Sequence, residues 1–83
     1  MEKRSVKIKC FAGLRKFFGS EVTVLVEPDS SYIKVIEALQ LLNPEATEIL
    51  SSCRIAVNED FVQLSETMKQ EDNLFLIPPS SGG

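Results

Sequence analysis

A single amphipathic helix pattern lies between segments that alternate like β-strands, and this order restricts the folds open to the chain. Apolar residues recur with the spacing of one helix face at Tyr32, Val35, Ile36, Leu39 and Leu42. We expect Ser30 or Ser31 to be the N-cap of this helix. Asn43-Pro44 ends it, because proline disfavours helical backbone in the residue before it. Such a helix must bury its apolar face, and the surrounding strands offer the surface for it.

Two predicted strands precede the helix, with a short helical turn between them. Their alternating apolar residues are Val6, Ile8, Cys10, Val22, Val24 and Val26. In the connection, Leu14, Phe17 and Phe18 have roughly helical spacing, and Gly19 follows them as the predicted C-cap. Because this connection is short, we expect the two strands to be antiparallel neighbours.

Three further strand patterns follow the helix. Asn43 as an N-cap and Pro44 in the first helical position predict a short second helix that ends at Leu50. Strands are then expected at residues 55–57, 61–62 and 74–77, with a turn at residues 58–60. The last of these strands is apolar on both faces, as a central strand is.

The element order β-β-α-(α)-β-β-β predicts the α+β class. One main helix packed across a mixed sheet of roughly four to five strands is the ubiquitin-like β-grasp architecture. We assign residues 1–77 to this domain, and residues 78–83 to an extended, flexible C-terminal tail that ends in Gly-Gly.

The composition argues against several classes of function. The 83-residue chain has 9 Lys and Arg against 12 Asp and Glu, a net charge of −3 that offers no footprint for nucleic acid. This charge favours a partner with a basic docking surface. No apolar run approaches the roughly 20 residues that cross a bilayer, and no signal-peptide core is evident. We therefore expect a cytosolic protein that makes no membrane contact.

Side chains suited to catalysis are scarce. The chain has no histidine, and Cys10 and Cys53 lie far apart in apolar segments, so both are expected to be reduced and buried. Without histidine, the usual residues assemble neither a metal site nor an activated nucleophile. We expect no metal, no cofactor bound by this chain and no catalysis by the chain alone.

The end of the chain is its most suggestive chemical feature. It consists of Pro78, Pro79, Ser80, Ser81, Gly82 and Gly83. Gly-Gly has no side chain and can enter a narrow tunnel, while Pro-Pro favours extended backbone. The reactive group is then the terminal carboxylate of Gly83, which becomes electrophilic once it is adenylated. This pattern suggests a carrier; the alternative is an unreacted, frayed terminus.

Four apolar residues lie where the strand alternation predicts solvent or leaves a second apolar face. They are Phe11, Phe61, Phe75 and Ile77. Phe11 shares its strand face with Lys7 and Lys9, whereas Leu74 and Leu76 can supply the core from the other face of the last strand. An exposed apolar patch on a small acidic protein usually marks a binding surface. The alternative is that helix ends or loops cover these residues.

Several segments resemble the small subunit of molybdopterin synthase. Residues 6–15 (VKIKCFAGLR), with Gly19 following, are similar to its opening strand and Phe-Ala-x-Leu-Arg motif. Residues 56–59 (AVNE) before Phe61-Val62 resemble its hairpin, and Glu71-Asp72 resembles the approach to its last strand. The strongest similarity is the ending PPSSGG, in which Ser80 replaces the family's usual aliphatic residue.

The resemblance implies a sulfur carrier. An E1-like enzyme would adenylate the Gly83 carboxylate with ATP, and a sulfurtransferase would convert it to a thiocarboxylate. The tail would then enter the large, catalytic synthase subunit, where the sulfur attacks a cyclic pyranopterin monophosphate precursor (precursor Z). The subunits would form a 2+2 heterotetramer, with partner contacts at Phe11, Phe61 and Ile77. The alternatives are a related carrier for thiamin synthesis, tRNA thiolation or protein conjugation, and a non-reacting interaction module.

Overall fold

One mixed sheet organises the structure, a computed structural model that describes residues 3–69 and 73–79. Within these ranges the strands are β1 (Arg4–Cys10), β2 (Glu21–Val26), β3 (Arg54–Val57), β4 (Asp60–Val62) and β5 (Leu74–Ile77). Their order is β2-β1-β5-β3-β4. Only the β1–β5 pair among them is parallel. The antiparallel pairing of the first two strands and the central place of the last one are confirmed.

Short helical segments connect the strands. They are the 3-10 turns Ala12–Leu14 and Pro44–Ala46 and the helices α1 (Arg15–Phe18), α2 (Ile33–Leu42) and α3 (Thr47–Leu50). Gly19 has a φ of 76°, a left-handed conformation that ends α1 as predicted. The Asn43 side chain accepts a 3.2 Å hydrogen bond from the Glu45 backbone N–H, so the predicted cap of the second helical segment is also confirmed. No helix in the described ranges has the length and apolar character that crossing a bilayer requires.

The predicted N-cap of the main helix is wrong. Tyr32 holds the N-cap position of α2, rather than Ser30 or Ser31. The backbone before the helix is paired elsewhere: the Met68 N–H donates to the Ser30 carbonyl at 2.9 Å, and the Tyr32 N–H donates to the Glu66 carbonyl at 3.0 Å. This pairing holds the serines in a β-bridge, and the helix begins only after it.

The core lies between α2 and one face of the sheet. Its fully buried large side chains are Ile8, Leu14, Leu39, Leu50, Ile55, Leu74, Leu76, Val35 and Cys10. Leu42, the last member of the predicted apolar stripe, is 58% exposed and lies outside this core. The chain leaves the helix there, and Ala46 and Leu50 of the following helical segments are buried in the core instead.

A tight turn joins β3 to β4 at the predicted position. Val57 is paired with Asp60, which leaves Asn58 and Glu59 as the two turn residues. Their φ angles are 50° and 78°. Positive φ at both central residues defines a type I′ turn, whose second position strongly favours glycine. Glu59 therefore occupies a position that strains its backbone.

Replacing Glu59 by glycine is expected to stabilise the protein by about 0.5–1 kcal/mol, because glycine adopts positive φ without a steric penalty. Glu59→Ala is the matched control, since it removes the same side chain but keeps the strain. Urea denaturation of the three proteins measures the effect. Equal midpoints for Glu59→Gly and Glu59→Ala would show that the turn stores no such strain.

Candidate functional site

The face of the sheet turned away from α2 carries the four predicted docking residues. Ala56 is paired with Phe61 on one side and with Phe75 on the other, so the three form a row across β4, β3 and β5. Leu74 and Leu76, which flank Phe75, are 1% and 0% exposed in the core. Since side chains alternate along a strand, Phe75 and Ile77 point to the opposite face.

These four residues form the apolar patch, consisting of Phe11, Phe61, Phe75 and Ile77. Phe61 is 55% exposed and Phe11 is 37% exposed, while Phe75 and Ile77 are half-buried. The rings of Phe11 and Phe75 are stacked, with centroids 6.0 Å apart and planes at 28°. The sequence also allowed helix ends or loops to cover these side chains. Within the described ranges, Phe11 and Phe61 are not covered in this way. Whether a partner contacts the patch remains a prediction.

The backbone turns sharply directly after Phe11. Ala12 has a φ of 52°, which is unusual for a residue with a Cβ atom. The Leu14 N–H donates a 3.1 Å hydrogen bond to the Phe11 carbonyl and closes the turn. Such a conformation costs roughly 1 kcal/mol or more and persists only when the surroundings enforce it. No pattern in the sequence singles out Ala12, which follows Phe11 directly after the end of β1.

The C-terminal tail starts at the edge of the apolar patch. β5 runs parallel to β1, so both strands end on the same side of the sheet. Ile77 belongs to the patch, and it is followed by Pro78, which is half-buried, and Pro79, which is exposed. Ser80, Ser81, Gly82 and Gly83 lie outside the described residues, as do Glu71 and Asp72. The root of the tail and the patch are thus continuous.

Charged side chains of both signs lie beside the patch. Lys7, Lys9, Glu21 and Glu59 line a cleft of about 490 Å³ next to Phe75. Arg54 lies over the Phe61 ring, with its Cζ atom 4.2 Å from the ring centroid. The expectation of a partner with a basic docking surface rested on the charge of the whole chain and stays a prediction. Reasoning from the sequence did not identify Arg54.

Both cysteines are buried on the core side and make poor nucleophiles. Cys10 and Cys53 are 1% and 5% exposed, and both are free thiols as predicted. Burial raises the pKa of the Cys10 thiol. Burial, together with the nearby charge of Cys10, raises the pKa of Cys53 to about 11. Thiols held in the protonated form are inert at neutral pH, so neither side chain competes with a reactive chain end.

Ionisation of these thiols is expected to destabilise the protein at alkaline pH. An unfolded cysteine ionises near pH 8.5, whereas folded Cys53 keeps its proton until about pH 11. Above the unfolded pKa the unfolded state is therefore favoured, and stability falls as pH rises through this window. Denaturation between about pH 8 and about pH 10 should show a steeper loss for the wild type than for Cys53→Ala. Equal slopes would contradict the role of this thiol.

The part of the chain that the structure describes contains no group of three or more His, Cys, Asp or Glu residues placed to hold a metal ion. What the site offers is instead an exposed apolar patch, charged side chains beside it and the root of a tail. This combination is suited to docking a partner protein and presenting the tail to it.

Comparisons with known proteins gave matches over most of the chain. A family model described as the ThiS family matches residues 8–83. The molybdopterin synthase sulfur carrier subunit of Arabidopsis thaliana is 32% identical over 79 residues, which cover 94% of this chain and 82% of the relative. The protein of the same name from Dictyostelium discoideum is 27% identical over 81 residues, covering 93% of this chain and 94% of the relative.

A solved structure also superimposes closely on this chain. The crystal structure of SAMP1 from Haloferax volcanii has a TM-score of 0.78 and 27% sequence identity, and the match covers 96% of this chain and 100% of that one. Together with the observed strand order, this likeness confirms the ubiquitin-like β-grasp fold.

Proposed function

The chain belongs to the ThiS family, and on that premise we propose that it is the sulfur carrier subunit of a molybdopterin synthase. The observation that carries this proposal is the 32% identity to the Arabidopsis sulfur carrier subunit across 94% of the chain. The continuity of the apolar patch with the root of the tail supports it, because a carrier must dock and present its end in one event.

The proposed chemistry takes place at the Gly83 carboxylate. An E1-like enzyme joins this carboxylate to the AMP moiety of ATP, with pyrophosphate as the leaving group. Sulfur supplied at the sulfide level by a sulfurtransferase then attacks the acyl carbon and expels AMP, which leaves a thiocarboxylate. In the large synthase subunit the thiocarboxylate sulfur attacks the cyclic pyranopterin monophosphate and displaces an oxygen substituent. Water then cleaves the acyl C–S bond, so that the sulfur stays on the pterin and the Gly83 carboxylate is restored. ATP is thus a substrate of the activating enzyme, and this chain holds no cofactor of its own.

The properties of the chain fit a division of labour in which other proteins supply the catalytic side chains. Six residues from Pro78 onwards reach roughly 20 Å when extended, at about 3.3 Å per residue. Pro78-Pro79 favours an extended root, which lowers the entropy lost when a partner binds the tail. Cys10 and Cys53 are buried and protonated at neutral pH, so the carrier's own thiols do not attack its activated end.

A second candidate function is attachment to other proteins as a modifier. SAMP1, whose structure superimposes with 27% identity, is named a small archaeal modifier protein. The acyl-adenylate is common to both functions, because a lysine amine can attack it in place of sulfur. The two functions differ in the nucleophile that accepts the activated Gly83.

Intact-mass spectrometry of the protein from its native cells tests the proposal. Replacement of one terminal oxygen by sulfur, together with capture of a large synthase subunit, is the expected result. Thiocarboxylate without that subunit would indicate a carrier for another pathway. Conjugates to lysine would indicate a modifier. An unreacted terminus in cells with active sulfur-transfer enzymes would contradict the proposal and favour an interaction module.

A further inference from the structure

The guanidinium group of Arg54 is fixed at the centre of the docking face. Its Cζ atom lies 4.2 Å from the centroid of the Phe61 ring. Arg54 is also the direct cross-strand partner of Ile77, the last residue before the tail. The group is therefore bordered by the apolar patch on one side and the root of the tail on the other. Cation–π contact with the ring reduces the number of positions that this long side chain samples.

The contact with the Phe61 ring leaves the N–H donors of the Arg54 guanidinium available to another group. A guanidinium contacts a ring through its flat face, while its N–H groups point outward in the plane as a fork that matches a carboxylate. Within residues 3–69 and 73–79, the Arg54 side chain forms no hydrogen bond or ion pair, and its contact with Phe61 is the interaction that it makes. Guanidinium is also less strongly hydrated than ammonium, so it is suited to burial in an interface. Arg54 thus carries a preoriented set of donors that no group of the folded chain uses.

The distribution of charge favours an acidic ligand for this group. Lys7 and Lys9 lie on the same face of the sheet and, within the described ranges, form no ion pair of their own. On the opposite, helical side the exposed carboxylates include Glu37, Glu45 and Glu48. Glu21 and Glu59 line the same cleft as these lysines, and Glu21 is the cross-strand neighbour of Lys9 at the sheet edge. The two lysines therefore have carboxylates beside them, whereas Arg54 contacts the Phe61 ring and has no acidic partner in the described ranges.

We propose that Arg54 binds an aspartate or glutamate side chain of the large synthase subunit, at the point where the tail leaves the domain. The carboxylate pairs with the outward N–H fork, while Phe61, under the guanidinium, enters an apolar pocket of the same partner. This inference rests on the proposed function, since it takes the large subunit as the docking partner. It gives the patch a specificity that four apolar side chains cannot supply, because only a partner with a matching acid avoids burying an unpaired cation.

Binding of variants to the large subunit from the same organism tests this inference. Arg54→Gln is expected to weaken binding about 30-fold or more, mainly through faster dissociation, because the partner's carboxylate is left buried and unpaired. Arg54→Lys keeps the charge but loses the fork, so most of the loss should remain. Lys34→Gln removes one charge from the exposed helix side and is the matched control, with an expected change of less than about twofold.

A charge exchange identifies the partner residue. Arg54→Glu should abolish binding, and replacing the correct acid of the large subunit by arginine should restore it. Circular dichroism establishes that each variant is folded. Wild-type affinity for Arg54→Gln, with thiocarboxylate formation and sulfur transfer intact, would overturn the role of Arg54 and leave the proposed function standing. Failure of the wild type itself to bind any large subunit would overturn both.

Discussion

Deletion of Gly83 is expected to abolish sulfur transfer while leaving the melting temperature of the protein almost unchanged. Among the described residues, the buried side chains end with Leu76, and neither Pro78 nor Pro79 belongs to the core. Changes away from the core usually alter stability by less than about 0.5 kcal/mol. The loss of function should be complete, because the proposed acyl-adenylate and thiocarboxylate form on the terminal carboxylate after Gly-Gly. Molybdopterin formation in a reconstituted assay measures the first effect and thermal denaturation the second.

Leu76→Ala is the control for which the opposite result is expected, a loss of stability with the reactive terminus kept intact. Leu76 is 0% exposed, and its truncation is expected to cost about 2–5 kcal/mol of stability. Its intact C-terminus should still be adenylated at temperatures where the domain remains folded. Normal molybdopterin production by the Gly83-deleted protein would contradict the carrier function. A large fall in its melting temperature would instead show that the tail belongs to the folded domain.

Truncation of either exposed ring of the apolar patch is expected to weaken partner binding far more than it weakens folding. Aromatic anchors of interfaces typically contribute about 2 kcal/mol or more, which corresponds to a loss of affinity of roughly 30-fold. Phe61 is 55% exposed, so Phe61→Ala should cost the free protein little beyond the contact with Arg54, worth about 0.5–1 kcal/mol. Phe11→Ala loses the stacking on Phe75, a contact of similar size.

Leu41→Ala is the matched control for these two variants. Leu41 is 84% exposed on α2, on the side of the domain opposite to the patch, so its truncation should change neither binding nor stability appreciably. Calorimetric titration of the large subunit and of the adenylating enzyme, together with denaturation of each free variant, separates the two effects. If Phe11→Ala and Phe61→Ala unfold the free protein but bind normally when folded, these rings act in the core and the docking surface is elsewhere.

Period-two alternation explains why the orientation of the patch could be predicted from the sequence. Leu74 and Leu76 are sufficient to cover one face of β5, so Phe75 and Ile77 had to lie on the other. The stacking of Arg54 on Phe61 could not be predicted in this way. It depends on the register of β3 against β4 and on the rotamer of the Arg54 side chain. Neither of these produces a periodic pattern in the sequence.

The two errors about the main helix, its N-cap and the burial of Leu42, have a common physical cause. Ser30 and Ser31 are good capping residues by composition, but their backbone forms long-range hydrogen bonds with the segment before β5. Leu42 continues the helical period, yet the chain turns away before this side chain reaches the core. In both places tertiary contacts outweigh a local preference of about 1 kcal/mol. The sequence pattern therefore located the helix and its end before Asn43-Pro44, but neither its N-cap nor the exposure of Leu42.

The strand that completes the sheet, β5, lies directly before the tail that carries the proposed reactive end. The order of synthesis therefore places completion of the fold just before the tail. β1 and β2 form one half of the sheet and β3 and β4 form the other, and β5 joins the two halves although it is the last strand to leave the ribosome. Until then each half exposes an unpaired strand edge, which is open to association with other chains. A prematurely terminated chain therefore lacks both the tail and the strand that holds the docking face together. If the proposed function holds, an activating enzyme that recognises this face acts only on chains in which β5 has been added to the sheet.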